Sequence, residues 1–196
     1  MNNTPETQWE NRYQENKTGW DRGSTSLQLL SWLKSKALTP CRILVPGCGN
    51  GYEVITLAKA GFEVVALDIA PTPVKNLNAQ LKEQSLSAEV IQADVLNWQG
   101  APFDAIYEQT SLCAIVPEHW LEYEQQLRAW LKPQGQLFAL FMQTNREGGP
   151  PYHCDLPQMQ SLFSDTHWQW STPEEAVTHP TGLHELAYVL AKRGVD

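Results

Sequence analysis

Arg42-Ile43-Leu44-Val45-Pro46-Gly47-Cys48-Gly49-Asn50-Gly51-Tyr52 is the stretch that decides the fold. A short apolar run, Arg42 to Pro46, reads as a buried strand. It feeds three glycines at alternate positions, 47, 49 and 51. Glycine lets a backbone turn tightly and lets a ligand come close. Residues 52–60 then read as a helix stopped by Gly61. The first N–H groups of a helix have no intrahelical acceptor, so they suit a carboxylate or a phosphate. A glycine loop alone is equally an ordinary tight turn, and its neighbours must decide.

Downstream, Phe62 to Leu67 reads as a second strand ending at Asp68. Pro71 and Pro73 sit where a helix start tolerates proline, and that helix should run to about Gln84. Val90-Ile91 is a short third strand closed by Asp94, and Phe103 to Tyr107 a fourth. A helix is expected over 118–131, ended by Lys132-Pro133-Gln134-Gly135. Gln136 to Met142 is a fifth strand, followed by a Gly- and Pro-rich loop over 144–154. A helix near 156–163 and strands near 167–170 and 184–191 complete the chain. Upstream, residues 5–17 suggest a short helix, followed by the turn Thr18 to Gly23. Ser24 or Thr25 should cap a helix over 26–37 whose apolar face carries Leu27, Leu30 and Leu33. Alternating strands and helices argue for a parallel sheet covered on both faces. Ligands in such sheets bind beyond the carboxyl ends of the strands.

Three such ends carry suitable groups. Asp68 lies about 20 residues past the loop, where an acid can take two ribose hydroxyls. Asp94 can accept from an adenine amino group while Val95 covers the ring. Either Asp alone is more often a cap or a loop carboxylate; three features at successive strand ends are a stronger signal. Adenosine occurs in both NAD and S-adenosylmethionine. The dinucleotide pattern GxGxxG needs a third glycine where this chain has Tyr52, and the observed GxGxG spacing favours the methyl donor. That donor is a sulfonium cation, which aromatic faces attract by roughly 0.5–2 kcal/mol each. Trp9, Tyr13 and Trp20 offer such faces, although the same rings would also serve simply to pack the segment.

Totals narrow the classes. The chain has 196 residues, which predicts a single domain. A formal charge of −8 with no basic run predicts no nucleic-acid partner. No apolar stretch approaches membrane-spanning length, and residues 1–24 show no secretory h-region. Four cysteines without CxxC spacing predict reduced thiols in a cytoplasmic protein, with no metal. His119, His153, His167, His179 and His184 show no metal-ligand spacing. His153 is a weak catalytic candidate, outweighed by its plain reading as a loop histidine. Apolar neighbours mark Cys113 as an inert buried thiol, and Trp98, Trp120 and Trp130 are expected in packing roles.

The N-terminal residues Trp9-Glu10-Asn11-Arg12-Tyr13 and Thr18-Gly19-Trp20-Asp21-Arg22-Gly23 resemble the lid of the thiopurine S-methyltransferase family. Ile43 to Gly49 resembles its first motif, and Phe103 to Gln109 with Leu112 to Ile115 its fourth-strand motif. Gly148-Gly149-Pro150-Pro151-Tyr152 is similar to its GGPPY segment. The pattern is nearest the thiol and halide branch. The resemblance implies a Rossmann-like class I methyltransferase fold: an α/β, mostly parallel, doubly wound sheet with an antiparallel C-terminal strand and an N-terminal helical lid over residues 1–24. It implies S-adenosylmethionine as cofactor, bound by Trp9, Tyr13, Trp20, Gly47, Gly49, Asp68, Asp94 and Val95. Gln109 stands where relatives carry Arg or Tyr beside the cofactor. The methyl would pass to a small soft nucleophile — a thiol, halide, thiopurine, or selenium or tellurium oxyanion — by in-line displacement without a general base. A monomer acting on a small-molecule substrate is expected. A non-catalytic protein that binds the adenosyl cofactor, or less readily an NAD-dependent oxidoreductase, stays open at this point.

Overall fold

The computed structural model describes residues 4–172, 177–178 and 182–194. Two compact units divide the chain, residues 1–98 and 99–196.

The first unit holds helices α1 (Pro5–Gln14) and α2 (Leu27–Ser35), then β1 (Arg42–Pro46), α3 (Tyr52–Lys59), β2 (Glu63–Asp68), α4 (Pro71–Glu83) and β3 (Glu89–Gln92). Its three strands run parallel in the order β3-β2-β1, with Val45 opposite Ala66 and Leu67 opposite Ile91. Ile43, Leu44, Val64, Val65 and Leu67 are buried. The near-continuous apolar runs follow from helices covering both faces of a parallel sheet.

Two expectations for α2 fail. Ser26, not Ser24 or Thr25, caps it, its hydroxyl accepting from the Gln28 N–H at 3.3 Å. Thr25 instead bonds the Thr56 hydroxyl at 2.7 Å and the Tyr52 carbonyl at 3.2 Å. The buried face carries Leu29 and Trp32, while Leu27 is 76% exposed and Leu30 42%. Spacing at i, i+3 is satisfied by both sets; the larger area of Trp32 selects its own face for burial.

The second unit holds β4 (Phe103–Gln109), α5 (Trp120–Trp130), β5 (Leu131–Gln143), α6 (Leu156–Leu162), β6 (Trp168–Trp170), β7 (Val177–Thr178) and β8 (His184–Lys192). β4 and β5 are parallel; β8 runs antiparallel to β5 and pairs antiparallel with β6 and β7. This supplies the antiparallel C-terminal strand. Short 3₁₀ turns at Leu112–Ala114 and Pro117–His119 precede α5, so the expected helix over 118–131 begins later. β5 also starts earlier than Gln136. Leu131 pairs with Phe103 and Gln136 with Ala105, so Lys132 to Gly135 bulge out of the ladder, with Gln134 at φ 65°. Trp120 and Trp130 are core residues; Trp98 is only partly buried.

Candidate active site

The glycine loop is stitched to the end of β2. The Cys48 N–H donates to the Leu67 carbonyl at 2.8 Å, and the Gly49 N–H to Asp68 Oδ2 at 2.9 Å. Asp68 Oδ1 accepts from the Ala70 N–H at 2.9 Å. The carboxylate thus faces the loop on one side and the β2–α4 turn on the other, with lone pairs left for further donors. Burial pushes its pKa up to about 6, against the lowering effect of those two amides. Gly47, Gly49 and Gly51 all have positive φ, at 60°, 52° and 75°. Gly51 is the N-cap of α3, and no side chain caps that helix.

Asp94 lies two residues beyond Gln92, which pairs with Asp68 across the ladder. Its Oδ1 accepts from the Leu96 N–H at 2.9 Å and its Oδ2 from the Asn97 amide at 2.8 Å. Asp94 therefore closes its own turn, as loop carboxylates commonly do, and holds Val95 partly buried next to it. The first unit thus gathers Gly47, Gly49, Asp68, Asp94 and Val95 at the carboxyl ends of three adjacent strands.

The lid joins them. Trp20 meets Trp9 edge-on at 5.2 Å and Tyr13 at 5.6 Å. Tyr13 stands over the loop: a Cβ added at Gly49 would lie 3.1 Å from its hydroxyl. Burial first, then the nearby Asp68 charge, push its ionisation far above the usual phenol range, so Tyr13 stays a neutral hydroxyl. The Arg12 guanidinium lies 5.2 Å from the Trp9 ring centroid and 6.0 Å from that of Trp20. These rings already hold a cation, which sequence reading did not foresee.

Asp21 fastens the lid turn. Its Oδ1 accepts from the Gly23 N–H at 2.8 Å, and its Oδ2 from the Asn50 amide at 2.5 Å and the Tyr52 hydroxyl at 3.4 Å. Glu53 Oε1 accepts from the Ser26 N–H at 2.9 Å. Asp21, Asn50 and Glu53 tie the N-terminal segment to the glycine loop and α3, and sequence reasoning missed them. Their partners are mostly more than 25 residues away, so no local pattern announces them.

Gln109 belongs to the second unit, where both ends of its amide are engaged. Its Oε1 accepts from the Tyr107 hydroxyl at 2.6 Å, and its Nε2 donates to the Glu185 carboxylate at 3.2 Å. Beside it on β4, Glu108 is buried, accepts from the Leu112 N–H at 2.6 Å, and is pushed up to about 8, chiefly by burial. His153 Nδ1 faces the N–H groups of Thr144 at 3.2 Å and Asn145 at 3.5 Å. The proton of the neutral ring then sits on Nε2, which leaves a donor and no open basic nitrogen. Cys113 is buried and its thiol pushed well up by burial, as an inert thiol requires. Among the described residues no group of three His, Cys, Asp or Glu side chains could hold a metal ion; His179 lies outside them.

A glycine loop at the first strand end and an acid at the second are what a class I methyltransferase carries, and a nicotinamide-binding sheet carries them too. Solved structures carry the same fold. A 1,6-didemethyltoxoflavin-N1-methyltransferase of Burkholderia thailandensis, determined with S-adenosylhomocysteine, superposes with a TM-score of 0.78 at 18% identity, covering 96% of this chain and 87% of that one. The thiopurine S-methyltransferase family description matches residues 4–185, and the chain belongs to that family. It is an S-adenosylmethionine-dependent methyltransferase. Among curated relatives, thiocyanate methyltransferase 1 of Arabidopsis thaliana is 32% identical over 160 residues, 79% of this chain and 70% of its own length. A thiopurine S-methyltransferase of Psychrobacter cryohalolentis is 26% identical over 186 residues, covering 82% and 84%. Family membership decides against the nicotinamide reading of the glycine loop.

Proposed function

We propose that the chain methylates a small soft nucleophile, a thiol above all, with a halide, a thiopurine or a selenium or tellurium oxyanion in the same class. The observation that carries this reading is the neutral phenol of Tyr13 held over Gly49, within an aromatic lid fastened to the glycine loop by Asp21. The chain is similar to a thiocyanate and to a thiopurine methyltransferase, which extends the reading to soft sulfur acceptors.

The residues present fit the methyl donor. Asp68 is a buried carboxylate with spare lone pairs, suited to two ribose hydroxyls. Gly47 and Gly49 leave room beside amides at the uncapped start of α3, suited to a carboxylate. Trp9, Tyr13 and Trp20 would line the sulfonium side; Arg12 lies against two of them, Trp9 and Trp20. Asp94 and Val95 would frame the adenine. S-adenosylmethionine supplies an electrophilic methyl group when bound.

What remains for the protein is to orient and to exclude water. Orientation of reactants in attack geometry can contribute about 7–11 kcal/mol. A thiol with an ordinary pKa near 8.5 already offers thiolate at neutral pH. His153, with its Nδ1 turned to backbone amides, is not called on as a base. The same proposal includes a single functional domain with residues 1–24 as its lid, a monomer, a cytoplasmic setting, and neither nucleic acid nor membrane as partner. No helix among the described residues is long and apolar enough to cross a membrane.

A turnover panel tests the reading. Iodide, hydrosulfide, an aromatic thiol, a thiopurine, selenite and tellurite are compared with a phenol and an amine, following S-adenosylhomocysteine. The soft acceptors should be turned over and the hard ones should not. Turnover confined to the phenol or the amine, or none at all, would overturn it.

A further inference from the structure

We propose that Glu10 is a positioning residue that latches the aromatic lid over the cofactor loop, with Thr72 as its catch. The inference rests on the cofactor reading above. Glu10 Oε2 accepts from the Thr72 N–H at 2.9 Å, and Oε1 from the Thr72 hydroxyl at 2.5 Å. Gln14, one turn further along α1, donates to the same Oε1 at 2.8 Å. Thr72 is the second residue of α4, whose N-cap is Ala70 and supplies no side-chain bond. A carboxylate from the lid therefore does the work of the missing cap, where the helix dipole favours negative charge.

α1 needs such an anchor. Its rings Trp9 and Tyr13 are half-buried and no residue of the helix is fully buried, so apolar burial holds it down only in part. The latch is also well placed to matter at the site. Glu10 and Tyr13 are three residues apart on one helix, so fixing one fixes the other over Gly49. At the other end, Thr72 lies two residues past Ala70, whose N–H holds the Asp68 carboxylate. One pair of hydrogen bonds thus joins the element that carries the lid rings to the turn that orients the strand-end acid. Opening the latch frees Tyr13 from above the loop and loosens the turn below it.

The consequence is a control on cofactor residence rather than on the transfer step. The test uses the full chain as wild type, Glu10→Ala, Thr72→Val and the double variant. Steady-state kinetics gives KM and kcat, and stopped-flow tryptophan fluorescence gives the off-rate of S-adenosylhomocysteine. In Glu10→Ala the KM for S-adenosylmethionine and the off-rate should each rise about tenfold, the scale of losing hydrogen bonds to a charged group. The kcat should hold or rise. Thr72→Val, which keeps the backbone N–H, should show a smaller rise. The double variant should be no worse than Glu10→Ala, since the two residues act as one contact. A residue that only stabilised the fold would lower kcat and the melting temperature and leave the off-rate unchanged. An off-rate within twofold of wild type in both single variants, or effects that multiply in the double variant, would overturn the latch. Wild type that fails to bind S-adenosylmethionine at all would instead overturn the cofactor reading.

Discussion

Replacing Asp68 by Asn removes one charge at the centre of the site and little volume. The carboxylate accepts from Gly49 and Ala70 at 2.9 Å each. An Asn side chain has one acceptor oxygen, so its NH₂ must face one of those backbone donors. It also loses the charge that would bind two ribose hydroxyls. Hydrogen bonds to a charged group are worth roughly 1.5–3 kcal/mol, so cofactor affinity should fall roughly 10- to 100-fold. The wild-type pH dependence gives an independent check. Asp68 is held at about 6, raised by burial from the ordinary carboxylate value. Hydroxyl donors favour the ionised form, so affinity should be flat above about pH 7 and drop about tenfold by pH 5. The same raised pKa acts oppositely on the unliganded fold. Its contribution is fully present below the ordinary carboxylate pKa and is lost as pH rises through about 6, by on the order of 3 kcal/mol. Asp68→Asn should abolish both pH steps. Isothermal calorimetry with S-adenosylhomocysteine from about pH 5 to 8 measures the first, and melts of the free protein from about pH 3 to 8 measure the second. A pH-independent wild-type affinity, or a variant binding within twofold of wild type, would refute the role given to Asp68.

Gly51→Ala should destabilise the fold by about 2–4 kcal/mol, from left-handed strain plus overpacking, because the new Cβ would lie 2.4 Å from a Leu77 methyl; thermal melts measure it. Gly49→Ala would crowd the Tyr13 hydroxyl instead, so its larger effect should be on cofactor KM, read by steady-state kinetics. Glu108, held at about 8, contributes stability that is full below about pH 4.5 and lost as pH rises through 8. Glu108→Gln keeps an acceptor for the Leu112 N–H, so urea unfolding at pH 5 and 9 should show a wild-type loss of a few kcal/mol that the variant lacks.

Much of the scaffold was legible because its signals are local. Apolar strands that end in glycines or acids follow from burial on both faces of a parallel sheet. The loop at 47–51 and the acids at 68 and 94 could therefore be placed by counting along the chain. What was not legible depends on pairings over long separations. Glu10 meets Thr72 across 62 positions, and Asp21 meets Asn50 across 29. The buried face of α2 is not readable from leucine spacing, because i, i+3 spacing fits two faces and only the fold shows Leu29 and Trp32 buried. The early start of β5 was hidden by Pro133 and Gly135, which read as a turn and serve as a bulge. Rings could be expected to favour a cation, but only the fold shows Arg12 on two of them.

A crystal structure of the full chain with S-adenosylhomocysteine tests the account most directly. The ribose should lie on Asp68, the amino-acid end against Gly47 and Gly49, the adenine beside Val95, and the sulfur on the side of Trp9, Tyr13 and Trp20. A ligand that contacts neither Asp68 nor the lid rings would contradict the site, and with it the assignment of this glycine loop to methyl transfer.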